Sequence, residues 1–535
     1  MLQTFQKATE QALAAIREEM TVRKTTEVFL LFTMGSQFDH LIKMALERLG
    51  VYCLVADPAK TTVDDVRILW PTGIVISGGP ASVHSEPPPF DYLIFDLGIP
   101  VLGICLGYQM WAKHIGVEVK AADKREFGPH DLVVTSPDYT LFYGCPRRMK
   151  VLESHGDRVE PCPHFEITAS TDNALAAAAR HNHLHGLQFH PECTETEYGP
   201  QIFENFCFRI CGARDRYPAQ DVAQQKIAHL REQTRDKRVL LALSGGSDSS
   251  TVAYLLKEAM RDNGGKLRGV YIKGIDRPDD EAHARQYFGH EDWLEFRVVD
   301  ETEAFLAAVK GKTSMSDKRL AMKFGVYQRV LEREIQEYAA SLVAQGTLYT
   351  DNSESGLGYT GGARKAVIKH HHNTGLQFSV PELTPLDDCV KDSGRNIGRS
   401  IGVPEALLTR HPFPGPGLLL RVEGEVTAEK LAMAHWIDDI YISELRKWNL
   451  YDSVWQAGAV VTVSTHTVSM GDDAGSHAVV CLWAVWSVNG FTARWAELPV
   501  DFQRHVSRRI TNEVKGAGAV TYRISDKPPT TIESG

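Results

Sequence analysis

The chain of 535 residues predicts an α/β fold: two doubly wound parallel-sheet domains followed by a smaller α+β domain. Two observations carry that prediction. In two separate regions, short continuous apolar runs alternate with stretches of helical spacing, the pattern of strands buried on both faces between helices. A Pro/Gly cluster, HPFPGPG at 411–417, then closes the second region, since such a run continues neither helix nor sheet. With 43% apolar and 24% charged residues, the composition is that of a soluble globular chain.

Four segments follow in order. Residues 1–27 read as an N-terminal helical extension, with Leu2, Phe5, Ala8, Leu13 and Ile16 set among charges, and are expected to be solvated. The first α/β domain, 28–212, has strand runs VFLLF, VYCLV, GIVISG and PVLGIC, then a hairpin-rich stretch reaching HGLQFHPE at 185–192. It closes with the helix GPQIFENFCFRICG, and polar CGARDRYPAQD at 211–221 is the candidate linker. The second domain, 213–411, opens with a helix near 220–235 and the strand RVLLAL, followed by GVYIKG and LEFRVVD. The last, 412–535, joins a long helix, TAEKLAMAHWIDDIYISELRKW, to strands VVTVSTHTVSM and HAVVCLWAVW.

Charge and cysteine content exclude some function classes. Lys plus Arg is 58 against 68 Asp plus Glu, a net charge of −10, which argues against sequence-independent nucleic-acid binding. Nine cysteines, an odd number without a tight framework, indicate a reducing compartment. The first residues are polar and no apolar run approaches the roughly 18 residues of a membrane span, so the expected location is cytoplasmic, with no membrane partner.

The first chemical site is a cysteine on a tight turn. In PVLGICLGYQM, Cys105 follows a buried strand between Gly103 and Gly107, and the next helix N-terminus favours a thiolate. A base is required, and His190-Pro191-Glu192 supplies one at the end of another apolar strand. Cys, His and carboxylate suit acyl transfer: thiolate attacks, imidazole carries the proton, and the carboxylate orients the ring. Ser77-Gly78-Gly79-Pro80 offers backbone N–H groups to an oxyanion.

The second site is a phosphate cradle. RVLLAL-SGGSDSS-TVAYLLKEAM reads strand, glycine-rich turn, helix. The backbone of Gly245 and Gly246 and the hydroxyls of Ser244, Ser247 and Ser249 converge at a positive helix end. No G-x-x-x-x-G-K-[ST] loop exists, because Gly311-Lys312-Thr313 lacks the preceding glycine.

GICLGYQM, SGGP and FHPE resemble the class I glutamine amidotransferases over roughly residues 28–210. The resemblance implies Cys105 as nucleophile, His190 and Glu192 as its partners, and Gly79 with the Leu106 backbone as oxyanion hole. It assigns Gln109 and the Ser154-His155-Gly156-Asp157 segment to the substrate glutamine. The S-G-G-x-D-S turn resembles the ATP pyrophosphatases, implying that Ser244 through Ser250 hold ATP and that Asp248 places magnesium on the pyrophosphate.

The order of the two, with a third domain after them, resembles the GMP synthase family along nearly the whole chain after residue 27. Further landmarks are Ala344 to Thr347, Lys369, His371 to Asn373, Arg410 to Leu418, Met470 to Asp472, and the tail from Lys527 to Glu533. The family implies glutamine, ATP and XMP as substrates, Mg2+ as cofactor, and a homodimer formed through the C-terminal domain. It places Lys369 at ATP, and Gln456, Lys527, Thr531, Ile532 and Glu533 at the acceptor nucleotide.

Departures from the family concentrate away from the two motifs. They are Thr33 to Gln37 in the first loop, Ile272 to Arg277, Lys323-Phe324, Tyr349 to Asp351, Thr465 to Ser469, Leu482 to Trp486, and Ser534-Gly535 at the end. Threonine and tryptophan in place of arginine exchange bidentate anion recognition for apolar surface. Three functions therefore stand at this stage: amination of XMP to GMP, the same chemistry on another purine-like acceptor, or nucleotide binding without turnover. Among bystanders, His181, His183 and His185 are expected to share one strand face without a metal. Cys207 and Cys211 are expected to face the core, and Trp483, Trp486 and Trp495 to lie in core or interface.

Overall fold

The structure is a computed structural model describing residues 5–36, 38–84, 89–136, 140–216, 222–274, 276–277, 279–348, 351, 373–389, 391–413, 417–470, 473–487, 490, 492–527 and 530–533. They fall into two compact units, one within residues 1–220 and the other after it.

The first unit is built on nine strands: β1 Phe29–Phe32, β2 Cys53–Ala56, β3 Gly73–Ile76, β4 Val101–Ile104, β5 Val119–Val134, β6 Arg148–Val159, β7 Glu166–Ser170, β8 Ala178–His181 and β9 Leu184–Leu187. Their order is β2-β1-β3-β4-β9-β8-β7-β5-β6. The half from β2 to β9 is parallel, with every residue of β1 to β4 buried, as continuous apolar runs require. The half from β9 to β6 is antiparallel and is the hairpin-rich stretch of the sequence.

The N-terminal segment is not a solvated extension. Phe5 bridges Ala56, its N–H donates to the Val55 carbonyl at 2.7 Å, and its own carbonyl accepts from Asp57 at 2.9 Å. The helix Glu10–Arg23 is capped by Thr9 and buries Ile16 in the core above the sheet. Two apolar side chains among charges were enough to dock it, because a ready sheet edge lay within reach.

The second unit has two sheets. Five parallel strands, β10 Arg238–Ala242, β11 Lys266–Lys273, β12 Glu295–Asp300, β13 Leu342–Ala344 and β14 Glu382–Leu383, run in the order β12-β11-β10-β13-β14. The strand order reverses between β10 and β13, the switch point where open α/β sheets bind ligands. The last sheet, β15 Gln456–Met470, β16 Asp473–Trp486, β17 Arg494–Trp495 and β18 Ala517–Tyr522, packs with the helices Ala428–Lys447 and Val500–Glu513. Among the described residues no helix is long and apolar enough to cross a membrane.

One expectation among the bystander residues changes. His181 ends β8 and His185 lies within β9, with the left-handed Asn182 turning the chain between them, so the three histidines share no strand face. Cys207 and Cys211 both face the core as expected, Cys207 fully buried and Cys211 partly so. Trp483 lies in the core as expected, with the guanidinium groups of Arg421 and Arg523 over its ring, while Trp486 stays 40% exposed.

Candidate active sites

In the first unit Cys105 stands between β4 and the helix Leu106–His114 with φ 49°, a left-handed conformation costly for a side-chain-bearing residue. The flanking glycines make that turn possible. A Cβ on Gly103 would lie 2.6 Å from the Gly107 carbonyl carbon, and one on Gly107 would lie 2.4 Å from the Ile76 carbonyl oxygen. Strand and helix are therefore in backbone contact, and the thiol is pushed out at their junction.

His190 follows β9 and stands beside Cys105: a Cβ on Gly78 would lie 3.0 Å from the His190 ring and 3.4 Å from the Cys105 Cβ. Its Nδ1 lies 2.7 Å from Glu192 Oε1, a carboxylate with no exposed side-chain surface. Burial alone would discharge the ring, but Glu192 and Cys105 outweigh it and hold His190 well above its usual range. Phe38 closes one side with its edge toward the imidazole, ring centroids 5.1 Å apart.

Gly79 sits against Leu106 and against the Met34 carbonyl, where an added Cβ would come within 2.3 Å. The departing first loop therefore touches the oxyanion loop directly, and the Met34 N–H donates to Ser77 Oγ at 2.8 Å. Gln109 donates to the Asp157 carbonyl at 3.0 Å and to Gln188 Oε1 at 3.4 Å. Ser154 turns its backbone carbonyl toward Cys105 Sγ at 4.0 Å. The His155 ring is buried between Glu126 and Glu153, at 3.1 and 3.2 Å. Sequence reasoning missed Gln188, whose amide donates to Cys105 Sγ at 3.8 Å; its place two residues before His190, just after β9, was the available signal.

In the second unit the turn after β10 lies at the switch point. Gly245 takes φ 72°, Ser244 N–H and Oγ both bond Ser249 Oγ, and Gly246 caps the helix Ser247–Met260. Gly346, after β13, approaches so closely that a Cβ there would lie 2.8 Å from the Ser249 nitrogen. Asp248 accepts from Ser247 Oγ at 2.9 Å and from Lys391 Nζ at 2.6 Å. Lys391 was missed because it stands 143 residues away on another helix. The Ser250 hydroxyl is buried in the helix and has no hydrogen-bond partner among the described residues.

A cavity of roughly 340 Å³ opens here, lined by Ser244, Gly246 and Asp248 and also by Gln456, Lys527 and Glu533. Thr531 and Ile532 also face it, as do Arg319, Lys391 and Arg410, Lys391 being paired with Asp248 and Arg410 with Asp280. The tail is held by its own contacts: Glu533 Oε1 accepts from Arg421 Nη2 and from Gln456 Nε2, each at 2.8 Å, and Lys527 Nζ donates to the Gly490 carbonyl at 2.9 Å. Arg421 also pairs with Asp438 at 2.5 Å, and Asp438 with Arg277 at 2.6 Å, in a fully buried chain of charges. Of the departing positions, Arg277 belongs to this chain and Asp351 accepts from Asn373 at 3.0 Å. Lys369, His371 and His372 lie outside the described residues.

Comparison with known proteins bears on both units. The family described as Glutamine amidotransferase class-I matches residues 30–210, and the GMP synthase C terminal domain matches residues 443–534. The glutamine-hydrolyzing GMP synthase of Aquifex aeolicus is 40% identical over 517 residues, 94% of this chain and 98% of that protein. That of Thermomicrobium roseum is 39% identical, covering 93% of this chain and 95% of its own length. The enzyme of Vibrio parahaemolyticus is 38% identical, covering 96% of this chain and 100% of its own length.

Proposed function

This chain belongs to the glutamine-hydrolysing GMP synthase family, and from that premise we propose which of its side chains carry each half of the reaction. The enzyme is a carbon–nitrogen ligase that makes GMP with glutamine as nitrogen donor. The departures from the family pattern are accommodated within that function, and nothing favours a different acceptor.

Residues 28–212 form the glutaminase, 213–411 the adenylating domain and 412–535 the C-terminal domain. Cys105 Sγ attacks the glutamine amide carbon while the Gly79 and Leu106 backbone N–H groups take the charge on oxygen. His190 delivers its proton to the departing nitrogen, releasing ammonia, and then activates the water that frees glutamate from the thioester. Gln109 and the Ser154–Asp157 segment bound the space for glutamine. Gln109 is already bonded to the Asp157 carbonyl, so it shapes this pocket through the backbone.

In the second unit, the turn from Ser244 to Ser250 and Lys369 bind ATP, and the XMP carbonyl oxygen attacks the α-phosphorus with pyrophosphate leaving on that turn. Ammonia then displaces AMP. Gln456, Lys527, Thr531, Ile532 and Glu533 hold the acceptor. Lys527 supplies the point charge for its phosphate, and Glu533 fixes the tail through Arg421. The observation that carries this reading is the shared cavity: residues of the phosphate turn and of the C-terminal tail both line it. Asp248, an oxygen donor beside serine hydroxyls on the cavity wall, fits Mg2+, which would neutralise pyrophosphate charge there. We also propose a cytoplasmic homodimer formed through the C-terminal domain; sedimentation at the monomer mass would sink that part.

The test is Cys105→Ala assayed with ATP, Mg2+ and XMP. Glutamine-dependent GMP formation is lost while formation with ammonium salts persists; loss of both refutes the division of labour.

A further inference from the structure

Gln188, just after β9, carries a fully buried amide that the reaction as written does not use. The backbone delivers it to the elbow. The Cys105 N–H donates to the Leu187 carbonyl at 2.7 Å, which sets the next residue beside the thiol, and the Gln188 N–H is anchored on the Ala177 carbonyl at 2.8 Å. Gln109 lies one helical turn after Cys105, its N–H on the Cys105 carbonyl at 3.1 Å. From there its Nε2 donates to the Asp157 carbonyl at 3.0 Å and to Gln188 Oε1 at 3.4 Å.

These contacts settle which way each amide faces. A backbone carbonyl only accepts, so the group of Gln109 against Asp157 is its NH2. The same NH2 meets Gln188, whose oxygen must therefore be turned toward it. The nitrogen of Gln188 is left facing Cys105 Sγ, at 3.8 Å. The Ser154 carbonyl, 4.0 Å from the same sulfur, can accept a hydrogen bond and cannot give one. An N–H aimed at sulfur is weak against a neutral thiol or a thioester and strong against a sulfur anion. That anion forms in the second half of the glutaminase reaction. Water adds to the glutamyl carbon and gives one proton to His190; the C–S bond then breaks, its electron pair returns to Sγ, and the freed acid releases its proton to solvent as glutamate.

We propose that Gln188, turned by Gln109, is a further catalytic residue of the glutaminase: its amide N–H receives the charge on Cys105 Sγ as the C–S bond of the thioester breaks. The inference rests on Cys105 being the nucleophile. A donor that stabilises the departing sulfur does nothing to hasten the first attack, because it stabilises the attacking sulfur before the reaction as well. Its removal therefore separates the two halves.

The experiment follows the glutamyl thioester on Cys105 by rapid quench and peptide mass spectrometry, in the full chain with glutamine, ATP, Mg2+ and XMP. Q188M keeps the volume and removes the donor; Q188E keeps the oxygen that Gln109 bonds and removes the donor. Each should slow decay of the thioester by about tenfold or more. The thioester then accumulates, and kcat falls together with the KM for glutamine, leaving kcat/KM within about threefold of the parent. A thioester that decays at the parent's rate in either folded variant, or a loss carried by kcat/KM with kcat retained, overturns the proposal. If neither variant folds, ¹⁵N-glutamine spectra of the unmodified chain decide: a carboxamide N–H signal protected from solvent should move when iodoacetamide alkylates Cys105, and none moving overturns it. Glutaminase activity surviving in Cys105→Ala would instead sink the nucleophile assignment, so the two failures are distinguishable.

Discussion

Gly107→Ala tests the elbow most directly. An added Cβ would lie 2.4 Å from the Ile76 carbonyl oxygen and 2.9 Å from its carbonyl carbon, both backbone atoms of β3. An ordinary C···O contact is about 3.3 Å, so helix and strand must part by about 0.9 Å. Overpacking of this kind costs about 1–3 kcal/mol, partly offset by the roughly 1 kcal/mol that alanine gains over glycine in a helix. The net loss of stability is therefore modest, at most about 2 kcal/mol. The effect on rate is larger, because the displaced helix carries Leu106 and swings Cys105 away from His190; a shift near 1 Å costs about a hundredfold. The assay compares glutamine-dependent with ammonium-dependent GMP formation in one preparation, the second serving as internal control. Gly116→Asn, at φ 84° with open space around it, is the matched control and should leave the ratio unchanged. A ratio in Gly107→Ala within a factor of about two of the parent would refute the backbone-contact argument.

Glu192→Gln removes the carboxylate that charges His190 and should lower glutamine-dependent turnover by about 10²-fold or more. Because the folded His190 is raised, the stability it confers is present in full below its ordinary value of 6.5 and is lost as pH rises through the folded value. The melting difference between parent and variant should thus be largest in mild acid and shrink in alkali, and a pH-independent difference would contradict it. Arg421→Met leaves Asp438 and Glu533 without their shared cation in a buried site and should cost about 3–5 kcal/mol, read by urea unfolding of the second unit. A loss below about 1 kcal/mol would mean the chain of charges is solvated. Lys527→Ala should raise the acceptor KM at least about tenfold with little change in the KM for glutamine; an unchanged acceptor KM rejects its phosphate contact.

Both chemical motifs were legible in the chain because each is a local device. A strand, a glycine turn and a helix start need only neighbouring residues, and the close approach of Gly103 to Gly107 and the positive φ of Gly245 arise within one turn. The same holds for His190 and Glu192, two residues apart, and for the continuous apolar runs that became β1 to β4. What lay beyond the sequence depends on distance through the fold. Lys391 reaches Asp248 across 143 residues, and Glu126 meets His155 only because β5 and β6 pair in one register. The docking of Phe5, the burial of Trp483 against two guanidinium groups and the chain from Arg277 to Glu533 are of the same kind. A residue type can announce what chemistry it is able to do. Whether it is charged, buried or paired is decided by which groups the tertiary structure brings within a few ångströms and by how much water it leaves there.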